Sequence, residues 1–262
     1  MMDLQDGVVI VTGSSSGVGA ACARQLAELG CHVVINYAHN EAGAKGTEAE
    51  CHAFGVETEV VQADVSDDAD CRKLVAAAES KWGRLDGLVN NAGTTKFCAH
   101  DDLAGLDKQD FLHIYGVNTV GPYQMARAAA PLMRRGGQGS IVNVASIGGI
   151  MGIGSSIAYA ASKGALITLG LSLARVLGPE IRVNTVCPGF IQGDWLAEGM
   201  GQETYDRAKA YLEQNTPLRL TTTPDTVAEG ILQFLTGASV VTGETLILDG
   251  GHHLMQMPMA RR

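Results

Sequence analysis

Short runs of apolar and β-branched residues recur along the chain, and each is followed by a stretch whose apolar positions repeat at helical spacing. Val8–Val11 is the first run. Val18, Cys22, Leu26 and Leu29 then mark one helix face, and Gly30 supplies a natural helix stop. The same reading predicts strands at His32–Tyr37, Thr58–Val65, Leu88–Asn90, Ser140–Ser146, Arg182–Cys187 and Thr245–Leu248. It predicts helices at Glu41–Phe54, at Asp67–Trp82 with Ser66 as N-cap, at Ser155–Leu177 and at Pro224–Leu235. A further long helix at Asp107–Arg135 should bend at Gly121-Pro122, and Phe190–Asn215 reads as irregular or short-helical. The strands are apolar throughout rather than alternating, so both of their faces should be buried. Seven such strands separated by helices predict an α/β fold: a doubly wound parallel seven-stranded sheet with helices on both faces. No linker, repeat or charge block interrupts the rhythm, so residues 1–262 are expected to form a single domain.

Composition narrows the classes. Of 262 residues 33 are glycine, well above the usual share of about 7%, which points to tight turns and close backbone approaches. The net charge of −9 argues against nucleic acid and against an anionic membrane surface as partners. No apolar run is expected to reach the roughly 18 residues of a membrane span. The start, Met1-Met2-Asp3-Leu4-Gln5-Asp6, lacks the basic region of a signal peptide. Cys22, Cys31, Cys51, Cys71, Cys98 and Cys187 form no C-x-x-C pair, which suits reduced thiols and a cytoplasmic location. Seven histidines include no zinc-type spacing, so no metal is expected.

Three features carry chemistry. Between the first strand and first helix lies Thr12-Gly13-Ser14-Ser15-Ser16-Gly17-Val18-Gly19. A glycine turn there lets the backbone approach a pyrophosphate, which the helix N-terminus then binds with free N–H groups. The spacing is G-x-x-x-G-x-G, and a plain strand-to-helix turn is the alternative. Tyr159 and Lys163, four apart, share one helix face, as an ordinary surface pair also would. Ser146 ends a predicted strand, where doubly wound sheets place their ligands.

Together with Asp64-Val65, Asn90-Asn91-Ala92-Gly93, Asn118, Pro188-Gly189 and Asp249-Gly250-Gly251, these motifs closely resemble the short-chain dehydrogenase/reductase family, from Val8 to Gly251. Within it the chain is similar to the compact 3-oxoacyl-carrier-protein reductase-like type. The resemblance implies a Rossmann-type domain and hydride transfer between a nicotinamide cofactor and a carbonyl or secondary alcohol of a small molecule. It implies Asn118, Ser146, Tyr159 and Lys163 as the catalytic set. Tyr159 would exchange the proton, and Lys163 with the oxidised nicotinamide would lower its pKa. Ser146 would hold the substrate oxygen, and Asn118 would position a relay water.

For the cofactor, the resemblance implies contacts from Gly13, Ser16, Gly17, Val18 and Gly19, from Asn36 and Tyr37 at the end of the second strand, and from Asp64 and Val65. Asn91, Ala92 and Gly93 should pass under the adenosine ribose, although Asn91 also suits a purely stiffening role. Pro188, Gly189 and Ile191, with Lys163 and Tyr159, should border the nicotinamide. The second strand ends Asn36-Tyr37-Ala38-His39-Asn40 with no carboxylate, which favours NADP(H) and leaves NAD(H) open. Gln192 and Gly193 stand where relatives commonly carry Thr or Ser for the carboxamide. A substrate lid is expected around 190–215, with Trp195, Met200, Tyr205 and Tyr211 as its apolar wall and Thr94, Thr95 and Phe97 near the mouth. The family further implies a homotetramer. A non-catalytic dinucleotide-binding regulator or scaffold is the alternative.

Overall fold

Val, Ile and Leu dominate the strand runs because such side chains pack well on a pleated surface covered from both sides. The computed structural model describes residues 2–255; residues 1 and 256–262 of the expected domain lie outside it. The strands are β1 (Val8–Val11), β2 (His32–Tyr37), β3 (Thr58–Gln62), β4 (Gly87–Asn90), β5 (Gly139–Val144), β6 (Ile181–Pro188) and β7 (Thr245–Leu248). They pair in parallel throughout, in the order β3-β2-β1-β4-β5-β6-β7. The fold is therefore the expected Rossmann-type α/β sheet.

The helices are α1 (Gly17–Glu28), α2 (Glu41–His52), α3 (Asp68–Trp82), α4 (Lys108–Tyr115), α5 (Gly121–Arg135), α6 (Gly148–Met151), α7 (Ile157–Leu177), α8 (Asp194–Met200), α9 (Gln202–Asn215) and α10 (Pro224–Thr236). The two-residue period of the strands sorts the core into two layers. Val9, Val11, Val33 and Ile35 pack under α1, α2 and α10. Val8, Ile10 and Val34 pack on the other face, under α3, α5 and α7. Burying a side chain such as Ile10 or Ile35 completely contributes about 1.5–3 kcal/mol. From β1 the chain winds outward to β3 and then crosses to β4, so the carboxyl ends of β1 and β4 flank the crevice where such sheets bind ligands.

Several local expectations need correction. The N-cap of α3 is Asp67, not Ser66: its carboxylate accepts from the backbone N–H of Ala69 at 2.7 Å and of Asp70 at 3.2 Å. A carboxylate at that end also complements the helix dipole. Strand β3 stops at Gln62, because its partner β2 ends at Tyr37, and the Asp64 N–H donates to the Asp70 carboxylate instead. The helix at 107–135 is interrupted earlier than Gly121-Pro122, by a π turn over Gly116–Val120. Gly121 then fits against Val65, where a Cβ would lie 2.9 Å from the valine side chain. One apolar run does match a membrane span in length and composition, namely α7. Its apolar character comes from packing into the core, where Leu166, Leu173 and Leu177 are buried.

Candidate active site

The glycine-rich turn is shaped by two close approaches. Gly13 has φ +62°, and a Cβ there would meet the Ala92 backbone at 2.9 Å. A Cβ on Gly19 would lie 2.3 Å from the Gly13 carbonyl, so this glycine lets α1 seat against its own loop and does not itself line the cavity. Gly17, at φ +54°, has open space before it. Ser16 caps α1 without a side-chain hydrogen bond, leaving first-turn N–H groups for an anion. Gly13, Ser16, Gly17 and Val18 all face one cavity of about 700 Å³. This cradle of free first-turn N–H groups fits a dinucleotide pyrophosphate.

Two asparagines hold the turn in place. Asn36 is buried; its Oδ1 accepts from Gly13 N–H at 2.9 Å, and its Nδ2 donates to the Ala63 carbonyl at 3.0 Å. Asn91 Nδ2 donates to the Thr12 and Gly13 carbonyls at 2.9 and 3.1 Å. Both side chains are thus spent on the scaffold, although both residues border the cavity. Tyr37 does not reach it: the strand period turns Tyr37 with Val33 and Ile35 into the core. Beyond β2 the cavity is bordered by Ser15, Ala38, His39, Asp64 and Val65. The Asp64 carboxylate caps its own turn through Ser66, at 2.9 Å from the backbone N–H and 2.8 Å from the hydroxyl.

The other end of the cavity gathers the reactive side chains. Ser156 N-caps α7 by accepting from Tyr159 N–H, and the next turn places Lys163 on the same face as Tyr159. Lys163 Nζ donates to the Val144 carbonyl at 2.8 Å and stands 5.7 Å from the centre of the Tyr159 ring. Ser146, two residues past β5, approaches Tyr159 because α6 rests on α7 at a glycine pair: a Cβ on Gly149 would lie 2.5 Å from Gly164 N. Ser146 Oγ accepts from Gly148 N–H at 3.0 Å, which leaves its own proton free. Asn118, fully buried in the π turn, bonds both backbone groups of Thr94 at 2.8 and 2.9 Å and donates to Ser162 Oγ at 2.9 Å. Gly93 closes the group, since a Cβ there would be 3.5 Å from both Asn118 Oδ1 and Lys163 Nζ.

Burial sets the protonation states. It pushes the Tyr159 hydroxyl up to about 12, against the smaller opposite pull of the Ser146 hydroxyl. It pulls the Lys163 ammonium down to about 8. The expected lowering of the phenol belongs to Lys163 together with the oxidised nicotinamide; in the protein alone burial dominates. The ammonium donates to the Val144 carbonyl.

Of the residues expected at the nicotinamide, Ile191 lines the cavity. Pro188 and Gly189 are set back: Pro188 closes β6, and Gly189 presses on Asp249, where a Cβ would clash at 2.6 Å. Gln192 also lines the cavity, with its Nε2 donating to Thr221 Oγ1 at 3.0 Å. Of the expected apolar wall only Trp195 faces the cavity. Tyr205 instead stacks on Phe190 and Tyr211 is exposed. Ser15 and Ser162 escaped the sequence reading. Ser162 Oγ, which joins Asn118 to the Tyr159 carbonyl, could have been found by its place between Tyr159 and Lys163.

Comparison with known proteins agrees with this geometry. A family profile described as enoyl-(acyl carrier protein) reductase matches residues 13–253. A protein of Streptomyces violaceoruber named as a ketoacyl reductase of the granaticin polyketide synthase is 43% identical, over 95% of this chain and 96% of its own. An L-rhamnose 1-dehydrogenase (NAD(P)+) of a Sphingomonas strain is 37% identical, over 96% of this chain and 98% of its own. A crystal structure from Burkholderia xenovorans assigned to the short-chain dehydrogenases/reductases superposes with a TM-score of 0.88 at 39% identity, over 95% of this chain and 98% of that one. All three are named for redox chemistry, and nothing in them favours the non-catalytic alternative. The chain belongs to the short-chain dehydrogenase/reductase family and is a nicotinamide-dependent oxidoreductase acting on carbonyl or alcohol groups.

Proposed function

We propose that this chain reduces a ketone or aldehyde at the expense of NADPH, with Tyr159 as the proton donor. The observation that carries this reading is that Tyr159 and Lys163 line one end of a cavity whose other end is the glycine cradle, with the Ser146 hydroxyl beside the phenol. The bound dinucleotide would supply a hydride to the carbonyl carbon. As that C–H bond forms and the C=O π bond breaks, Tyr159 gives its proton to the oxygen. A phenol held near pKa 12 is fully protonated at neutral pH, which is the state a donor needs. Ser146, with its proton free, would donate a hydrogen bond to the same oxygen. Lys163 would stabilise the phenolate left behind. Both amide hydrogens of Asn118 are taken by Thr94 and Ser162, so a relay water would donate to one of its oxygens.

The NADPH preference rests on the adenosine end. No carboxylate ends β2, Asn36 is already committed, and His39, which lines the cavity beyond β2, would meet a 2′-phosphate. The segment 190–215, carrying α8 and α9, would close over the substrate. The half-exposed apolar side chains of α5 and α7, among them Tyr123, Leu171 and Val176, suit burial in a homotetramer. Six free cysteines suit the reducing cytoplasm. The test is Tyr159→Phe: kcat for carbonyl reduction, followed at the nicotinamide absorbance, should fall by about 10²–10⁴-fold with dinucleotide affinity retained. Near-normal turnover would refute the assignment.

A further inference from the structure

Trp195 is half exposed, at 50%, yet it lines the cavity beside the proton donor. Its ring centre is 6.3 Å from that of Tyr159, and the two planes are inclined by 48°. Phe97 braces it from behind, with ring centres 5.5 Å apart and planes inclined by 58°. That brace is built in: Phe97 occupies the place of a side chain at Gly199, where a Cβ would lie 2.0 Å from the phenyl ring. The result is a wedge between a catalytic phenol and a supported indole. A carbonyl oxygen held at Tyr159 would bring its attached group towards the indole.

The charges around the wedge define the group further. Among the described residues lining the cavity, only Lys163, His39 and His113 can carry positive charge. Lys163 is held by the Val144 carbonyl, His39 lies at the opposite end, beyond β2, and His113 is exposed on α4, apart from the helix that carries Trp195. Nearby Lys96 is paired with Asp110 at 2.7 Å. Asp194 and Glu198 are exposed on the helix that carries Trp195. A phosphate-bearing tether or a carboxylated substrate meets like charge there. A flat uncharged ring loses little internal freedom on binding and gains an offset-stacked contact.

We infer that Trp195, braced by Phe97, is a specificity-determining platform for free, uncharged carbonyl compounds whose carbonyl is attached to a planar ring. This rests on the reductase reading above and narrows its substrate class. The test pairs acetophenone with cyclohexyl methyl ketone, matched in size and differing in planarity. In Trp195→Ala the acetophenone KM should rise about tenfold while that of the cyclohexyl ketone stays within about twofold, and Trp195→Phe should restore most of the difference. Side-chain removal here should not unfold the chain, because α8 has no buried residue.

A second readout needs no turnover. In a Trp82→Phe background Trp195 is the sole tryptophan, and acetophenone should quench its fluorescence saturably. Saturable quenching without reduction of any carbonyl would leave the platform standing and sink the reductase reading. Turnover with no quenching, and with both ketones equally affected by Trp195→Ala, would overturn the platform alone. Preferred turnover of a carrier-bound acyl thioester, indifferent to Trp195, would overturn it as well.

Discussion

Replacing Lys163 by methionine should stabilise the protein at neutral pH while destroying its activity. The ammonium is 4% exposed, and burial depresses its pKa from 10.5 to about 8. At pH 7 the charged form is thereby disfavoured by ~3 kcal/mol relative to the unfolded chain. Methionine has similar length and removes that penalty, but it leaves the Val144 carbonyl without its donor, at a cost of about 1 kcal/mol. The net gain at pH 7 should be about 2 kcal/mol.

The sign of the pH dependence follows from the lowered pKa. Between about pH 8 and 10.5 the unfolded chain binds more protons at this site than the folded one, so the lysine's penalty fades as pH rises. Most of it should be gone at pH 10, and the variant's advantage should vanish with it. The Val144 contribution does not depend on pH, so the swing isolates the ammonium. Urea unfolding of the two proteins at pH 7 and pH 10 measures it. An advantage unchanged between the two, or a wild type more stable at pH 7, would refute the view that this charge is held against its own solvation.

Other outcomes follow from the same contacts. Gly19→Ala forces a Cβ against the Gly13 carbonyl and the Ser14 backbone, neither of which is a flexible side-chain end, so it should cost about 1–3 kcal/mol in urea stability and weaken dinucleotide binding by titration. A variant with unaltered urea midpoint would show that the loop gives way. His39→Asp puts a carboxylate at the adenosine end and should shift the ratio of kcat/KM for NADPH over NADH towards NADH by about tenfold or more; an unmoved ratio would remove His39 from cofactor choice.

The sheet was readable because double-sided burial writes itself as uninterrupted apolar runs: Val8–Val11 and His32–Tyr37 have the expected bounds, as does the partly buried edge strand Thr245–Leu248. Boundaries failed where a partner decided them. Strand β3 stops because β2 does, which nothing in Thr58–Val65 reveals. The proposed catalytic side chains were legible because Tyr159 and Lys163 lie on one helix and Ser146 follows a strand. The cofactor contacts were less so. A motif gives positions but not directions, and it cannot tell that Asn36 is consumed by Gly13 and Ala63, that Tyr37 points into the core, or that Gly19 and Gly189 serve backbone approach. Asn118 was found by resemblance, yet the π turn that delivers it to Thr94 has no apolar period to announce it.

The way burial is distributed also bears on how such a chain changes over generations. Tyr159 and Lys163 stand on α7, nine of whose residues are buried, whereas α8 has none and α9 has only Leu212. Substitutions at exposed positions of α8 such as Trp195 therefore cost little in folding, while those around Lys163 are held in check by the core. One lineage can exchange its preferred substrates through the outer helices and inherit its redox chemistry intact.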